Sequence, residues 1–183
     1  MARPVTPAGR LSFPSLFEPD DNGKFTLKLI MPPRKDMNKA DQKLHDAMAS
    51  SLATCVAEKF GAATKGLNIT MTDGSEHDNN DDYLDGWTVC RFSTKFKPKL
   101  LDADKSPIEE DGGELYPGCW VRATHQAYAY DFKGKKGASF GFSSVLKAGD
   151  DIRWGGRADD SDGSEDFADF TDTISAGEKT LSV

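Results

Sequence analysis

The sequence predicts a mainly-β domain, a small curved barrel with one substantial α-helix, followed by an acidic C-terminal tail. Three observations predict it. Apolar and polar residues alternate with period two in five separate segments, a single stretch between Asp36 and Phe60 repeats with helical spacing, and charge is placed unevenly along the chain. Of 30 acidic and 23 basic residues, eight acids but only Lys179 fall within residues 158–183, so residues 1–157 are neutral and the net charge of -7 belongs to the tail. A chain of 183 residues suits one domain, 1–157, plus that tail, 158–183.

The first strand is read at Arg10–Phe17, where Leu11, Phe13 and Phe17 mark a half-buried face and Pro14 marks an edge or a bulge. A turn at Asp20-Asp21-Asn22-Gly23 leads into Lys24–Met31, with Phe25, Leu27 and Leu29 on one face and Lys24, Thr26 and Lys28 on the other, so the two strands form a hairpin. Pro32-Pro33 stops the second strand. Asp36 is then placed to cap a helix running to Phe60 and ended by Gly61, with Ala40, Leu44, Met48, Leu52, Val56 and Phe60 as its buried stripe and Ala47, Ser51 and Cys55 filling it. His45 lies beside the stripe as a partly exposed helix histidine.

Residues 70–86 mix Asp73, Glu76, Asp78, Asp81, Asp82 and Asp85 with Gly, Ser and Asn, which reads as a solvated loop without the register of a calcium-binding loop. A metal-dependent nuclease or recombination enzyme could use these carboxylates, although no strand-borne carboxylate pair lies nearby. The next strand is read as continuous from Trp87 to Lys99. Its odd positions are Trp87, Val89, Arg91, Ser93, Lys95, Lys97 and Lys99, and its even positions, Thr88, Cys90, Phe92, Thr94 and Phe96, form the core face. The lysine ladder either meets successive phosphates of an extended polyanion or protects an edge strand from aggregation; the alternation alone fits both.

After a polar loop at 102–118 comes a second long strand, 120–132. One face carries Trp120, Arg122, Thr124, Gln126, Tyr128, Tyr130 and Phe132, and the other carries Val121, Ala123, His125, Ala127 and Ala129. Small residues suit a tightly curved interior and would leave the aromatic rings outside as stacking platforms; a core under the helix, with the alanines outside, is the competing assignment. Lys133-Gly134-Lys135-Lys136-Gly137 forms a basic hairpin tip, and Ala138–Lys147 returns as the last strand, its glycines allowing close approach of a backbone or a nucleic-acid strand. Within the tail, Asp159, Asp160, Asp162, Glu165, Asp166 and Asp169 accompany Phe167 and Phe170, a pattern that imitates phosphates and bases or else serves solubility.

Cys55, Cys90 and Cys119 are odd in number and unpaired in spacing, arguing for reduced thiols over a disulfide framework or a zinc site. Three histidines, His45, His77 and His125, cannot supply a multi-histidine metal centre, so no cofactor and no metal are expected. No window has the apolar length of a membrane span, and the N-terminus lacks a signal-peptide run, which leads to the expectation of a soluble cytoplasmic protein.

Taken in order, the segments GRLSFPSLFEP (9–19), KFTLKLIMP (24–32), Gly86–Asp102 with RFSTKFKPKLLD, LYPGCWVRATHQAYAYD (115–131) and GASFGFSSVLK (137–147) resemble bacteriophage single-stranded DNA-binding proteins of the OB-fold type, a phage family long catalogued only as a domain of unknown function. The resemblance implies an OB-like five-stranded barrel without enzymatic activity. It would bind and protect single-stranded DNA during phage replication or recombination, in the cytoplasm of the infected bacterial host. The DNA face it implies comprises Arg91, Lys95, Lys97, Lys99, Arg122, Tyr128, Tyr130 and the tip lysines Lys133, Lys135 and Lys136, to which Trp87 and Trp120 add stacking surface. The acidic tail would contact phage replication proteins or compete with DNA. Two departures stand out: the acidic segment is followed by Thr171–Val183 rather than ending the chain, and the helix follows only two strands. A nuclease and a phage structural protein are the alternative functions.

Overall fold

The computed structural model describes residues 2–76 and 86–154. Its strands are β1 (Gly9–Ser15), β2 (Phe25–Met31), β3 (Asn68–Ile69), β4 (Met71–Asp73), β5 (Thr88–Thr94), β6 (Lys99–Leu101), β7 (Trp120–Ala123), β8 (Gln126–Phe132), β9 (Lys135–Gly141) and β10 (Ser144–Gly149), with one α-helix, α1 (Lys39–Phe60). They form a single sheet in the order β3-β9-β5-β2-β1-β7-β10-β6, with β4 also on β5 and β8 also on β9. The mainly-β reading with one helix holds. The five-stranded barrel does not: there are ten strands among the described residues, and their pairing path does not close on itself.

The discrepancy arises where the chain changes partner within one run of alternating residues. The segment 87–99 is two strands. β5 lies antiparallel on β2 and stops at Thr94, whereas β6 lies parallel to β10 at the far edge of the sheet. Phe96, expected in the core, is consequently 81% exposed. The segment 120–132 likewise splits at Thr124-His125: β7 pairs with β1 and β10, and β8 pairs with β9. The return segment 138–147 divides into β9 and β10, and the loop read at 70–86 follows β3 and contains β4 and a short 3-10 turn, Gly74–Glu76.

Local signals survive where pairing is local. β1 and β2 form the expected hairpin, and their register slips between Ser12 and Ser15, around Pro14, because proline has no N–H for the ladder. At the turn, Asp20 Oδ1 accepts from the backbone N–H of Asn22 and of Lys24. The helix starts later than Asp36, which belongs to a 3-10 turn, Arg34–Asp36; the cap is Asn38, whose side chain accepts from the Asp41 N–H. The buried stripe of α1 is Asp41, Met48, Leu52 and Val56. Ala40 and Ala47 are exposed, so the stripe is narrower than the sequence suggested.

The core sits between α1 and the sheet, where Leu27, Leu29 and Met31 of β2, Cys90 and Phe92 of β5, Val121 and Ala123 of β7, and Phe140 of β9 are all essentially inaccessible. Phe92 stacks on Phe140 with centroids 5.4 Å apart and meets the Phe142 ring edge-on. α1 packs on β8 and β9, against Ala127 and Ala129, so the small-residue face is the interior one. Cys90 and Cys119 are buried free thiols, and burial pushes both above the usual thiol range. Among the described residues no helix is long and apolar enough to cross a membrane.

Gly137 is placed by contact. A Cβ there would lie 2.1 Å from the Asn68 carbonyl oxygen and 2.6 Å from the Tyr130 hydroxyl, so any side chain would part β3 from β9 and push the Tyr130 ring away. Gly137→Ala is therefore expected to cost roughly 1–3 kcal/mol, the range for overpacking a filled site, read as a lower urea midpoint.

His125 is 3% exposed, set edge-on to Phe140 at 5.2 Å, with neither ring nitrogen bonded to another protein group. Burial lowers its pKa below the ordinary 6.5. The pKa of His45 is also lowered, chiefly by burial, with Asp46 opposing. A histidine depressed in the folded state leaves stability whole above the unfolded value and erodes it as pH falls, because the unfolded chain takes the proton first. Urea midpoints are therefore expected to drop from pH 7 to pH 5, and His125→Leu should lessen the drop.

Candidate functional site

A groove of about 690 Å³ opens on the face of β8 that carries Tyr128 and Tyr130, away from the core-packed Ala127 and Ala129. It lies where the sheet forks. The N-terminal half of β5 pairs with β4, while its C-terminal half reaches β9 at Phe92–Phe140. Thr70 stands at the fork between β3 and β4. Its N–H donates to the Ala138 carbonyl, and its hydroxyl both donates to the Arg91 carbonyl at 2.8 Å and accepts from the Arg91 N–H at 3.1 Å. One threonine thus satisfies both backbone groups of Arg91 where no neighbouring strand does.

Cations and aromatic rings meet in the groove. Lys28 of β2 and Arg91 of β5 are directly opposed in register, and Lys24 and Lys135 line the groove with them. From β8 come Tyr128, Tyr130 and Phe132, with Tyr128 40% and Phe132 66% exposed and the two tyrosine rings 6.4 Å apart, tilted by 50°. The Tyr128 hydroxyl lies 3.5 Å from Ser93 Oγ. The aromatic face of β8 is thus the outer one.

The β8–β9 hairpin projecting this face turns through two residues, Lys133 at φ 49° and Gly134 at φ 80°, the double left-handed turn that matches strand twist. Lys133 sits 5.3 Å from the Phe132 ring, and Lys136 is 3.6 Å from Asp131. Of the tip lysines, Lys135 alone lines the groove.

Other residues expected at this site lie elsewhere. Arg122 points to the helix side, where it clasps Asp41 through two hydrogen bonds, at 2.6 and 3.2 Å, and donates to the Thr6 carbonyl. Trp87 and Trp120 face each other at 6.5 Å; Trp87 packs with Trp154 on Ile30 and Val89, and the Trp120 indole N–H donates to Asp151 at 2.8 Å. The backbone N–H of Ile152, then the Trp120 indole, hold the Asp151 carboxyl below its usual range. Lys95, Lys97 and Lys99 are exposed beyond the end of β5 and do not form a regular ladder. Conversely, the site gains Lys24, Lys28, Asn68, Thr70 and Phe132. Lys24 and Lys28 carried a signal, the polar face of β2; Asn68 and Thr70 carried none.

Of the carboxylates considered for a nuclease, Asp78, Asp81, Asp82 and Asp85 fall outside the described residues, as does the acidic tail. Asp73 is exposed, and its Oδ1 accepts from the N–H and hydroxyl of Ser75. No group of three or more metal-ligating side chains occurs among the described residues.

Residues 3–176 match the family model described as the single-stranded DNA-binding protein of Enterobacter phage Enc34. The solved structure of the Enc34 protein superposes with a TM-score of 0.67 at 28% identity, covering 87% of this chain and 88% of that one. The Enc34 protein in complex with single-stranded DNA gives a TM-score of 0.67 at 25% identity, over 82% of this chain and 88% of that one. Protein p50 of Acyrthosiphon pisum secondary endosymbiont phage 1 is 28% identical over 164 residues, 81% of this chain and 85% of that protein. The bacteriophage T7 protein gp2.5, at 13% identity and a TM-score of 0.56, covering 85% of this chain and 96% of that one, shares the fold. The chain belongs to the family of the Enterobacter phage Enc34 single-stranded DNA-binding protein.

Proposed function

We propose that this protein binds single-stranded DNA in the groove lined by Lys28, Arg91, Tyr128 and Tyr130 with little sequence preference, and coats it during phage DNA replication or recombination in the host cytoplasm. The observation that carries the site is the facing pair Lys28 and Arg91 beneath Tyr128 and Tyr130. The cations would meet phosphates, and the rings would take bases, whose faces are alike enough that stacking is tolerant of sequence. Family membership supports the function, and the 25% identical relative solved with single-stranded DNA supports the ligand. We read the protein as a binder rather than an enzyme, with an OB-like arrangement of its sheet.

Within this reading the expected site narrows. Arg91, Tyr128, Tyr130 and Lys135 remain, joined by Lys24, Lys28 and Phe132, while Arg122, Trp87 and Trp120 serve to hold the domain together. Tyr128→Ala is expected to weaken binding of a single-stranded oligonucleotide by about 1–3 kcal/mol with the melting temperature little changed. Arg122→Ala is expected to do the reverse, lowering the melting temperature and leaving the salt dependence of binding intact, whereas Arg91→Ala should reduce that salt slope by about 0.7. A Tyr128→Ala variant that melts early and binds normally would reverse the assignment of the two faces.

The acidic segment 158–183 is assigned as an intramolecular competitor for the same groove, or as the contact for a replication partner. Eight acids with Phe167 and Phe170 offer a mimic of the strand. Truncation after Arg157 is expected to tighten DNA binding at low salt, with the gain shrinking as ionic strength rises. Equal affinity of full-length and truncated chains at low salt would assign the tail to an outside partner.

A further inference from the structure

We infer that Lys95, Phe96 and Lys97 form a second stacking station, which takes the DNA strand as it leaves the groove at the Lys24 end. The inference rests on the groove being the single-strand site and extends that site beyond its walls. Phe96 is the most exposed large apolar side chain among the described residues, at 81%. A lone exposed ring needs no explanation. This one is held out by its surroundings. Its N–H donates to Thr94 Oγ1 at 3.2 Å, turning the chain where β5 ends. On the far side Pro98 is buried, and the Lys99 N–H donates to the Ser143 carbonyl at 2.9 Å as β6 begins. The tip is thus three residues pinned at both ends, so a base stacking on it would order little that is not already ordered.

Its position continues the groove. Thr94 pairs with Phe25, the residue after Lys24, and Lys24 lines the groove. Ser93, within 3.5 Å of the Tyr128 hydroxyl, is only three residues from Phe96, a separation of at most about 10 Å along the chain. Lys95 and Lys97 flank the ring, both exposed, and set positive charge on either side of an aromatic surface. The opposite end of the groove carries the same combination, Phe132 with Lys133 5.3 Å from its ring. A strand lying along Phe132, Tyr130 and Tyr128 would therefore run on to Phe96, and the protein would engage more nucleotides than the groove alone holds.

The test compares wild type, Phe96→Ala, Phe96→Trp and Tyr128→Ala on oligothymidines of increasing length. Wild-type affinity should continue to rise once the oligomer is long enough to reach the tip. Phe96→Ala should bind the shortest oligomers as wild type does, and lose roughly five-fold or more on long ones, with an unchanged melting temperature. Phe96→Trp should restore long-oligomer affinity and show quenching of the added indole by long oligomers alone. If Phe96→Ala matches wild type at every length while Tyr128→Ala weakens binding throughout, the tip lies off the path and the groove stands. If Tyr128→Ala is also without effect, the groove reading fails and this extension fails with it.

Discussion

The fork at Thr70 is the constraint on which the groove depends. A sheet that continued β4 along the whole of β5 would have no groove, and one that continued β9 would cover Arg91 from the side. By passing from β9 to β5 at Thr70, the chain leaves the Arg91 backbone without a strand partner on the side away from β2, and the threonine hydroxyl supplies the donor and acceptor there. With no strand on that side of Arg91, the fork takes a residue that both donates and accepts, as the threonine hydroxyl does. Gly137 completes it from the other side, since only a residue without a Cβ lets the Asn68 carbonyl and the Tyr130 hydroxyl approach β9 together.

Much of this was legible from local pattern. Alternation separated the alanines of β8 from its tyrosines and curvature favoured the alanines as the interior, while the hairpin tip read at 133–137, which tightens in the fold to the turn Lys133-Gly134, the β1–β2 hairpin and the helix with its Gly61 stop are all short-range features. The sequence also carried the family resemblance. What stayed hidden is non-local. Alternation continues unbroken through Thr124-His125 and through Thr94-Lys95, yet at each place the strand leaves one neighbour for another, and period two has no means of recording a change of partner. Hence the extra strands, the exposed Phe96, and the lysines that do not form a ladder.

The same blindness misassigned Arg122. On a continuous strand 120–132 it would share a face with Tyr128 and belong to the binding surface. With the strand broken after Ala123, its side chain instead meets Asp41 at the start of α1, and its guanidinium also reaches the Thr6 carbonyl of the N-terminal segment. Asp41 is itself buried, so the pair is a fastening between helix, β7 and N-terminus, and a charge committed there is unavailable to a polyanion. Trp120 is similarly committed, its indole N–H held by Asp151. Residue type cannot separate the two uses of a cation or a ring; the partner across the fold decides.

Placing α1 on one face of β8 and leaving the other uncovered has an energetic consequence for binding. The interior face is fixed by Ala127 and Ala129 against the helix, and the outer rings project from a strand whose backbone is already paired with β9 from Gln126 to Phe132. On the proposed site, a base stacking on Tyr128 or Tyr130 would therefore have no strand to order and no core to rearrange, and the principal cost would fall on the DNA, which loses its own flexibility. Affinity on the proposed face would thus be set by charge and ring area rather than by hydrogen-bond pattern to base edges, and such a surface would accept any sequence while remaining sensitive to salt.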